Sequence, residues 1–289
     1  MRGKVGLEIP PLPVEKRFIY GVITSAEVMP FCYLPPNLAV LPIIPRGNGF
    51  QVITRDLAER LGYNYLVDWL KEVEKIWNEV RDKKRERISL YERLDWQREL
   101  SSQNPNAKFK VVYLRSGTYL AAAVIDIEKL LEENSLLNGI IVESTLYHYE
   151  TISADEAFYL ASLLNSSILD ELIKPMQSKG EFGERDIHKK PLEYPIPRYR
   201  PEDPVHKKLS ELGREATGIA QRALSSILQE YGYDKRLKER GALLPQEVAT
   251  VRRRLRSELR GLLEQIDALV VKLLERGGQK FTIEQFMAP

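Results

Sequence analysis

Apolar positions cluster in short bursts through the first half of the chain and recur at three- and four-residue spacing through much of the second. Residues 18–23 and 38–41 predict strands, because β-branched and aromatic residues gather there between turn formers. Pro42 and Pro45 restrict the segment after residue 41 to an edge strand or a loop. Arg46-Gly47-Asn48-Gly49 signals a turn before another short strand at residues 50–53. Thr54 is placed to cap a helix over residues 55–61, with Gly62 to end it. Residues 65–100 predict one long charged helical stretch, with Leu66, Leu70, Val73, Ile76, Trp77 and Val80 at helical spacing. Its lower part, residues 81–87, mixes charge signs and predicts a solvated face.

A β-rich section comes next. Residues 109–114 predict a strand, Ser116-Gly117 a turn, and residues 118–125 a buried strand. A short helix over 127–133 and strands at 139–143 and 146–150 complete the section. Ser153 and Glu156 make a capping box for a helix with Ala157, Leu160, Ala161, Leu164, Ile168 and Ile173 on one stripe, which Pro175 ends or kinks. Beyond residue 200 strand signals almost vanish. Leu209, Leu212, Ala216, Ile219, Ala220, Ala223, Leu224, Ile227 and Leu228 form one stripe, and Val248, Val251, Leu255, Leu259, Leu262, Ile266, Leu269 and Leu273 a second. The expected boundary lies near residue 200, giving domains 1–200 and 201–289.

Composition adds exclusions. At 289 residues and 43% hydrophobic, the chain can bury a core without staples. No apolar run is long enough to span a bilayer, and residues 1–13 do not read as a signal peptide. The single cysteine, Cys32, excludes a disulfide framework and points to a reducing, cytoplasmic compartment. It predicts a buried small hydrophobe. A net charge of +2 says little about nucleic acid, so clustering of the cations matters more.

The richest segment runs from residue 157 to residue 198. Leu163-Leu164-Asn165-Ser166, a glycine-bearing basic loop, and Pro195-Ile196-Pro197 occur in that order. Within it, Gly183, Arg185, Ile187, Lys189, Leu192, Pro195, Ile196 and Pro197 follow a spaced pattern. This segment resembles the TaqI-like C-terminal specificity domain of DNA adenine N-6 methyltransferases. The resemblance is strongest over residues 107–200 and weaker before. The tail after 200 looks like the helical extension of larger members. It implies a module that reads a target in duplex DNA and presents it to a catalytic domain.

The methyltransferase chemistry itself is missing. There is no glycine-rich loop for S-adenosylmethionine and no Asn-Pro-Pro-Tyr-type motif for a flipped adenine. Asn104-Pro105-Asn106 lacks the second proline and the aromatic, and Pro35-Pro36-Asn37 has the wrong order. The cofactor is therefore expected on a partner catalytic domain or subunit, either on another chain or elsewhere in a longer protein. His148, His188 and His206 have no zinc-ligand spacing. P-loop and hydrolase-elbow motifs are absent. Asp126 and Glu128 read as caps of the following helix rather than as a metal site.

Three constellations are candidates for DNA contact. The first is the loop at 179–190, with Lys179, Arg185, His188, Lys189 and Lys190 around Gly180 and Gly183, which let a phosphate approach the backbone. Glu181, Glu184 and Asp186 interleave, so by charge alone it is a loop with local ion pairs; the resemblance makes it a DNA contact. The second is Arg115, Ser116 and Thr118 around Gly117, either a plain turn or a base-reading unit. His148 beside it is a lesser candidate for a base contact. The third is Arg252-Arg253-Arg254-Leu255-Arg256 with Arg260, in which Arg252, Arg256 and Arg260 share one helix face; it is either a phosphate-tracking stripe or a solvated face partnered by Glu247 and Glu258. Trp77 predicts core packing, and Asn165 and Ser166 predict structural hydrogen bonds to a neighbouring loop. The expected fold class is α+β: a β-rich recognition domain with long helices, then an all-α region. The alternative function is a helical protein-interaction scaffold with no DNA role.

Overall fold

The computed structural model describes residues 10–80, 87–177, 179–180, 183–184, 187–193 and 197–276. In chain order it runs β1 (Ile19–Ile23), β2 (Val28–Met29), β3 (Cys32–Tyr33), β4 (Asn37–Val40), β5 (Ile43–Arg46), β6 (Gly49–Val52), α1 (Arg55–Leu61), α2 (Asn64–Val80) and α3 (Leu90–Leu94). Then come β7 (Phe109–Leu114), β8 (Ala122–Asp126), α4 (Ile127–Glu133), β9 (Ile140–Val142), β10 (Leu146–Thr151), α5 (Ala154–Asn165) and α6 (Ser167–Ile173). The chain continues through β11 (Lys179–Gly180), β12 (Gly183–Glu184), α7 (Lys190–Glu193), α8 (Pro204–Glu230), α9 (Tyr233–Arg240), α10 (Pro245–Glu258) and α11 (Arg260–Arg276). The content is α+β, with helices concentrated in the C-terminal half. No helix among the described residues is long and apolar enough to cross a membrane.

The chain forms two compact units that alternate along the sequence. Unit 1 takes residues 1–22, 38–106 and 131–141; unit 2 takes residues 23–37, 107–130 and 142–289.

In unit 1 a small sheet has the order β4-β1-β9, and β5 and β6 form a separate hairpin. Pro45 pairs with Phe50 in that hairpin, which has two strands only and leaves the proline an open edge. Thr54 caps α1 by accepting from Leu57 N at 3.4 Å, and Gly62, at φ 75°, ends it. Helix α2 buries Leu66, Val67 and Leu70 against Phe18, Ile53 and Ala58. The single helix expected over 65–100 does not form. Ser89 accepts from Glu92 N at 3.1 Å, and the Glu92 carboxylate accepts from Ser89 N at 2.8 Å, so a reciprocal capping box starts a fresh helix, α3. Trp77 is half-buried, and its indole N–H donates to Ile88 O at 3.2 Å. The solvated face expected at 81–87 lies, but for the exposed Arg87, outside the described residues.

Unit 2 is built on the antiparallel sheet β10-β7-β8, with Tyr147 opposite Tyr113 and Val111 opposite Val124. The strand expected from residue 118 begins only at Ala122. Upstream, the backbone is held by side chains: Leu120 N donates to Asp170 Oδ1 at 2.6 Å. Asn165 engages both backbone groups of Ala122, accepting from its N–H at 3.1 Å and donating to its carbonyl at 2.9 Å. The helix expected to run on to Ile173 breaks at Ser166. That residue is extended (φ −62°, ψ 135°) and caps α6, while its hydroxyl donates to Asp267 Oδ1 at 2.6 Å.

Helix α5 packs on β7 and β8 and also along α8. It buries Ala157, Tyr159, Ala161, Leu163 and Leu164, which lie all round its axis, as expected of a helix enclosed on several sides. Gly213 marks the α5–α8 approach: a Cβ there would lie 2.4 Å from Phe158 O. Ser162 donates across the same crossing to Leu209 O at 2.8 Å. The two C-terminal stripes do pack together, with Leu209, Leu212 and Ala216 of α8 in one core with Val251 and Leu255 of α10 and Ile266 of α11. The second stripe breaks at Leu259 into α10 and α11. The boundary expected near residue 200 falls inside unit 2. Met29, Phe31, Tyr159 and Leu163 share one core with the helices beyond 200, because α5 has too much apolar surface for the sheet alone to cover.

Candidate nucleic-acid interface

Strand β7 is the centre of its sheet, and its end projects the turn at residues 115–119. Arg115 N donates to Thr145 O at 3.2 Å, and the Arg115 guanidinium donates to Ser144 O at 2.9 Å. That guanidinium also lies 5.3 Å from the ring centroid of Tyr147, which stacks on Tyr113 at 5.5 Å. Arg115 is thus held half-exposed on an aromatic platform, while Ser116 and Thr118 are exposed. The Tyr113 hydroxyl is buried and makes no hydrogen bond among the described residues. Burial pushes its pKa up.

The basic loop attaches to this turn through the backbone. Arg115 O accepts from both Ile187 N (3.2 Å) and His188 N (2.9 Å). Ile187 is fully buried and approaches Gly117 closely, with Cδ1 3.8 Å from where a Cβ would stand. His188 takes a left-handed conformation (φ 47°), which turns the chain so that Lys189 is exposed and Lys190 begins α7. The end of the first constellation at residues 187–190 therefore lies against the second. Upstream, Lys179 pairs with Glu184 and Gly180 with Gly183 in a tiny hairpin. Arg185 lies outside the described residues.

Helix α10 closes the other side. Leu114, Gly117, Thr118, Tyr119, Ala249, Arg252 and Arg253 line a cleft of about 270 Å³. The third constellation divides: Arg253 and Arg260 are exposed and Arg254 stands by Glu258, as a solvated face would have it, whereas Arg252 and Arg256 bond the protein itself. Arg252 turns inward: Nε donates to Val28 O at 2.9 Å and Nη2 to Ser25 O. Arg256 lies 5.0 Å from the Tyr119 ring centroid and donates to Leu120 O (3.4 Å) and Ser167 Oγ (3.2 Å). Backbone carbonyls and the Ser167 hydroxyl accept from these two arginines. Glu247 instead bonds Arg236 and Arg240, while Glu258 stands 4.0 Å from Arg254. Burial raises the Tyr119 pKa, and Arg252, Arg256 and Arg253 oppose that rise. Burial lowers the Arg252 pKa. Arg253 is exposed at the cleft and makes no hydrogen bond or ion pair among the described residues. Arg260 is exposed too, outside the cleft lining.

His148 is half-buried on β10. Its Nε2 stands 3.6 Å from Glu150 Oε1, which pairs at 3.1 Å with the buried Lys110. Burial lowers the His148 pKa, Lys110 lowers it further, and Glu150 opposes both. Asn165 and Ser166 hold structure, as expected. Asp126 does cap α4, accepting from Lys129 N at 3.1 Å. What sequence reasoning missed is the pairing of Tyr119 with Arg256 and the placement of Arg253 beside Thr118. The only local signal was the four-residue spacing of Arg252 and Arg256. No protein-family model and no curated protein matches this chain.

Proposed function

We propose that this chain is a DNA target-recognition module of an adenine-N6 methyltransferase system. In this reading the turn at 115–118 and the loop at 187–190 address duplex DNA, and S-adenosylmethionine and the transfer chemistry belong to a partner catalytic domain or subunit. The observation that carries the reading is the shared anchor at Arg115 O. It joins two segments, each a candidate DNA contact in the sequence, and Ser116, Thr118, Lys189 and Arg253 are exposed on them and on the neighbouring helix α10. Hydroxyls and a held arginine suit base edges, and flexible exposed cations suit phosphates.

The test is duplex binding by the full chain across a salt series. Each phosphate neutralised contributes about 0.9 to the slope of log K against log salt. A Lys189→Ala, Arg253→Ala variant is expected to lower the slope by roughly 1–2 while leaving the fold intact. An unchanged slope would remove this surface from the interface. Absence of duplex binding at any salt would favour the scaffold reading.

A further inference from the structure

A second polar cleft lies in unit 1, well apart in sequence from the surface above. The hairpin β5–β6 ends at Arg46 opposite Gly49, with Gly47 at φ 60° in the turn. The segment at residues 95–102 docks against it. Phe50 N donates to Ser101 O at 2.9 Å, and a Cβ on Gly49 would lie 2.5 Å from that same oxygen, so only glycine permits the approach. Asp95 Oδ1 accepts from Ser101 N (2.8 Å) and Leu100 N (3.2 Å), fixing the segment. Between these anchors, Gln97 (φ 55°) and Arg98 (φ 61°) are consecutive left-handed residues, neither of them glycine. Such strain persists only where the surroundings impose it, and it gathers at binding sites.

The cleft so built encloses about 640 Å³. Arg46, Arg98, Asn48, Gln51, Ser101 and Ser102 line it, a set rich in hydrogen-bond donors. Arg46 and Arg98 are exposed. Arg46 bonds Gln51 Oε1 at 3.3 Å, and the Arg98 guanidinium makes no hydrogen bond or ion pair among the described residues. Asp95 is the one carboxylate in the lining, with Oδ1 already engaged by two backbone N–H groups.

We propose that this cleft is a phosphate-binding site, with Arg46 and Arg98 as the paired guanidinium ligands and Ser101 and Ser102 as hydroxyl donors. Guanidinium forks match phosphate oxygens, and the left-handed backbone at Gln97 and Arg98 starts the Arg98 side chain from the wall of the cleft. The phosphate is either a diester of the nucleic-acid backbone or a free phosphorylated small molecule. The site stands independently of the recognition surface in unit 2.

The experiment uses the full chain, an Arg46→Gln, Arg98→Gln variant and an Arg98→Lys variant, each checked for native circular dichroism. Inorganic phosphate is titrated against the amide NMR signals of Ser101 and Ser102, and duplex binding is followed against salt. The expected result is saturable movement of both signals in the wild type and its loss in the double Gln variant. Arg98→Lys should retain a weaker response. A salt slope lower by roughly 1–2 in the double Gln variant assigns the phosphate to DNA. An unchanged slope with lost phosphate response assigns it to a free phosphorylated molecule. Phosphate response in a chain that binds no duplex would sink the target-recognition reading and leave this site standing. No movement of Ser101 and Ser102 in the folded wild type, or full movement in the double Gln variant, overturns the proposal.

Discussion

Two identical substitutions in α8, five residues apart, should act in opposite directions. Gly213 sits where α8 meets α5. A Cβ there would stand 2.4 Å from Phe158 O and 2.5 Å from Ser162 Oγ. The serine can rotate, at the cost of its bond to Leu209 O. Phe158 O is backbone and cannot, so the helices must part by about 1 Å to restore ordinary contact. Overpacking of this kind costs typically 1–3 kcal/mol, and a rigid backbone partner puts it at about the upper end. Alanine returns about 1 kcal/mol in helix propensity, leaving Gly213→Ala about 2 kcal/mol less stable. At Gly218 a Cβ meets only the flexible end of Arg222 at 3.5 Å, so Gly218→Ala should gain about 0.5–1 kcal/mol. Urea unfolding of both variants beside wild type reads the difference as midpoints at constant slope. In thermal scans the first should melt about 4–8 °C lower. If Gly213→Ala unfolds at or above the wild-type midpoint, α8 does not seat on α5 as described, and the single core of unit 2 is wrong.

Other consequences are smaller. Asn165→Ala removes the acceptor of Ala122 N–H, while Ala122 O keeps its bond from Phe31 N (2.8 Å), so one buried donor is orphaned at about 1–3 kcal/mol, read by urea titration. His206 is buried with Nδ1 accepting from Arg200 N at 3.0 Å, and burial lowers its pKa. With the folded pKa below the unfolded value of about 6.5, the stability tied to neutral His206 is complete above that value and is lost as pH falls through the folded pKa. The stability margin of wild type over His206→Gln should shrink as pH falls below the unfolded value of about 6.5; a constant margin would refute this.

Most elements were legible because their signals are local. Thr54 with Gly62, the turn at 46–49 and the strand at 109–114 all form where the pattern puts them. The errors came where a local stop signal was overridden by a longer apolar rhythm. Ser89-Leu90-Tyr91-Glu92 is a complete capping box inside a stretch whose spacing suggested continuity. Ser166 likewise breaks a stripe that looks unbroken, because its hydroxyl caps the next helix and bonds Asp267, about a hundred positions away. The nearness of residues 115–118 to 187–190 and to Arg252 and Arg253 depends on long-range packing. No window of the sequence contains it. Arg252 and Arg256 were visible as a face, but their acceptors are the carbonyls of Ser25, Val28 and Leu120, which residue types do not reveal.

The alternation of the two units along the chain also sets an order of assembly during synthesis. The chain passes from one unit to the other five times by residue 142. Strand β1 of unit 1 is made before one of its two neighbours, β9, which emerges only after β7, β8 and α4. Unit 1 therefore waits with an open edge until β9 has left the ribosome. Residues 23–37 of unit 2 wait longer, since Met29, Phe31 and Cys32 find their core among helices α8 to α11. Neither unit can be finished by simple N-to-C progression. Strand β1 and the segment from Met29 to Cys32 therefore stay without part of their packing until those later elements have been made.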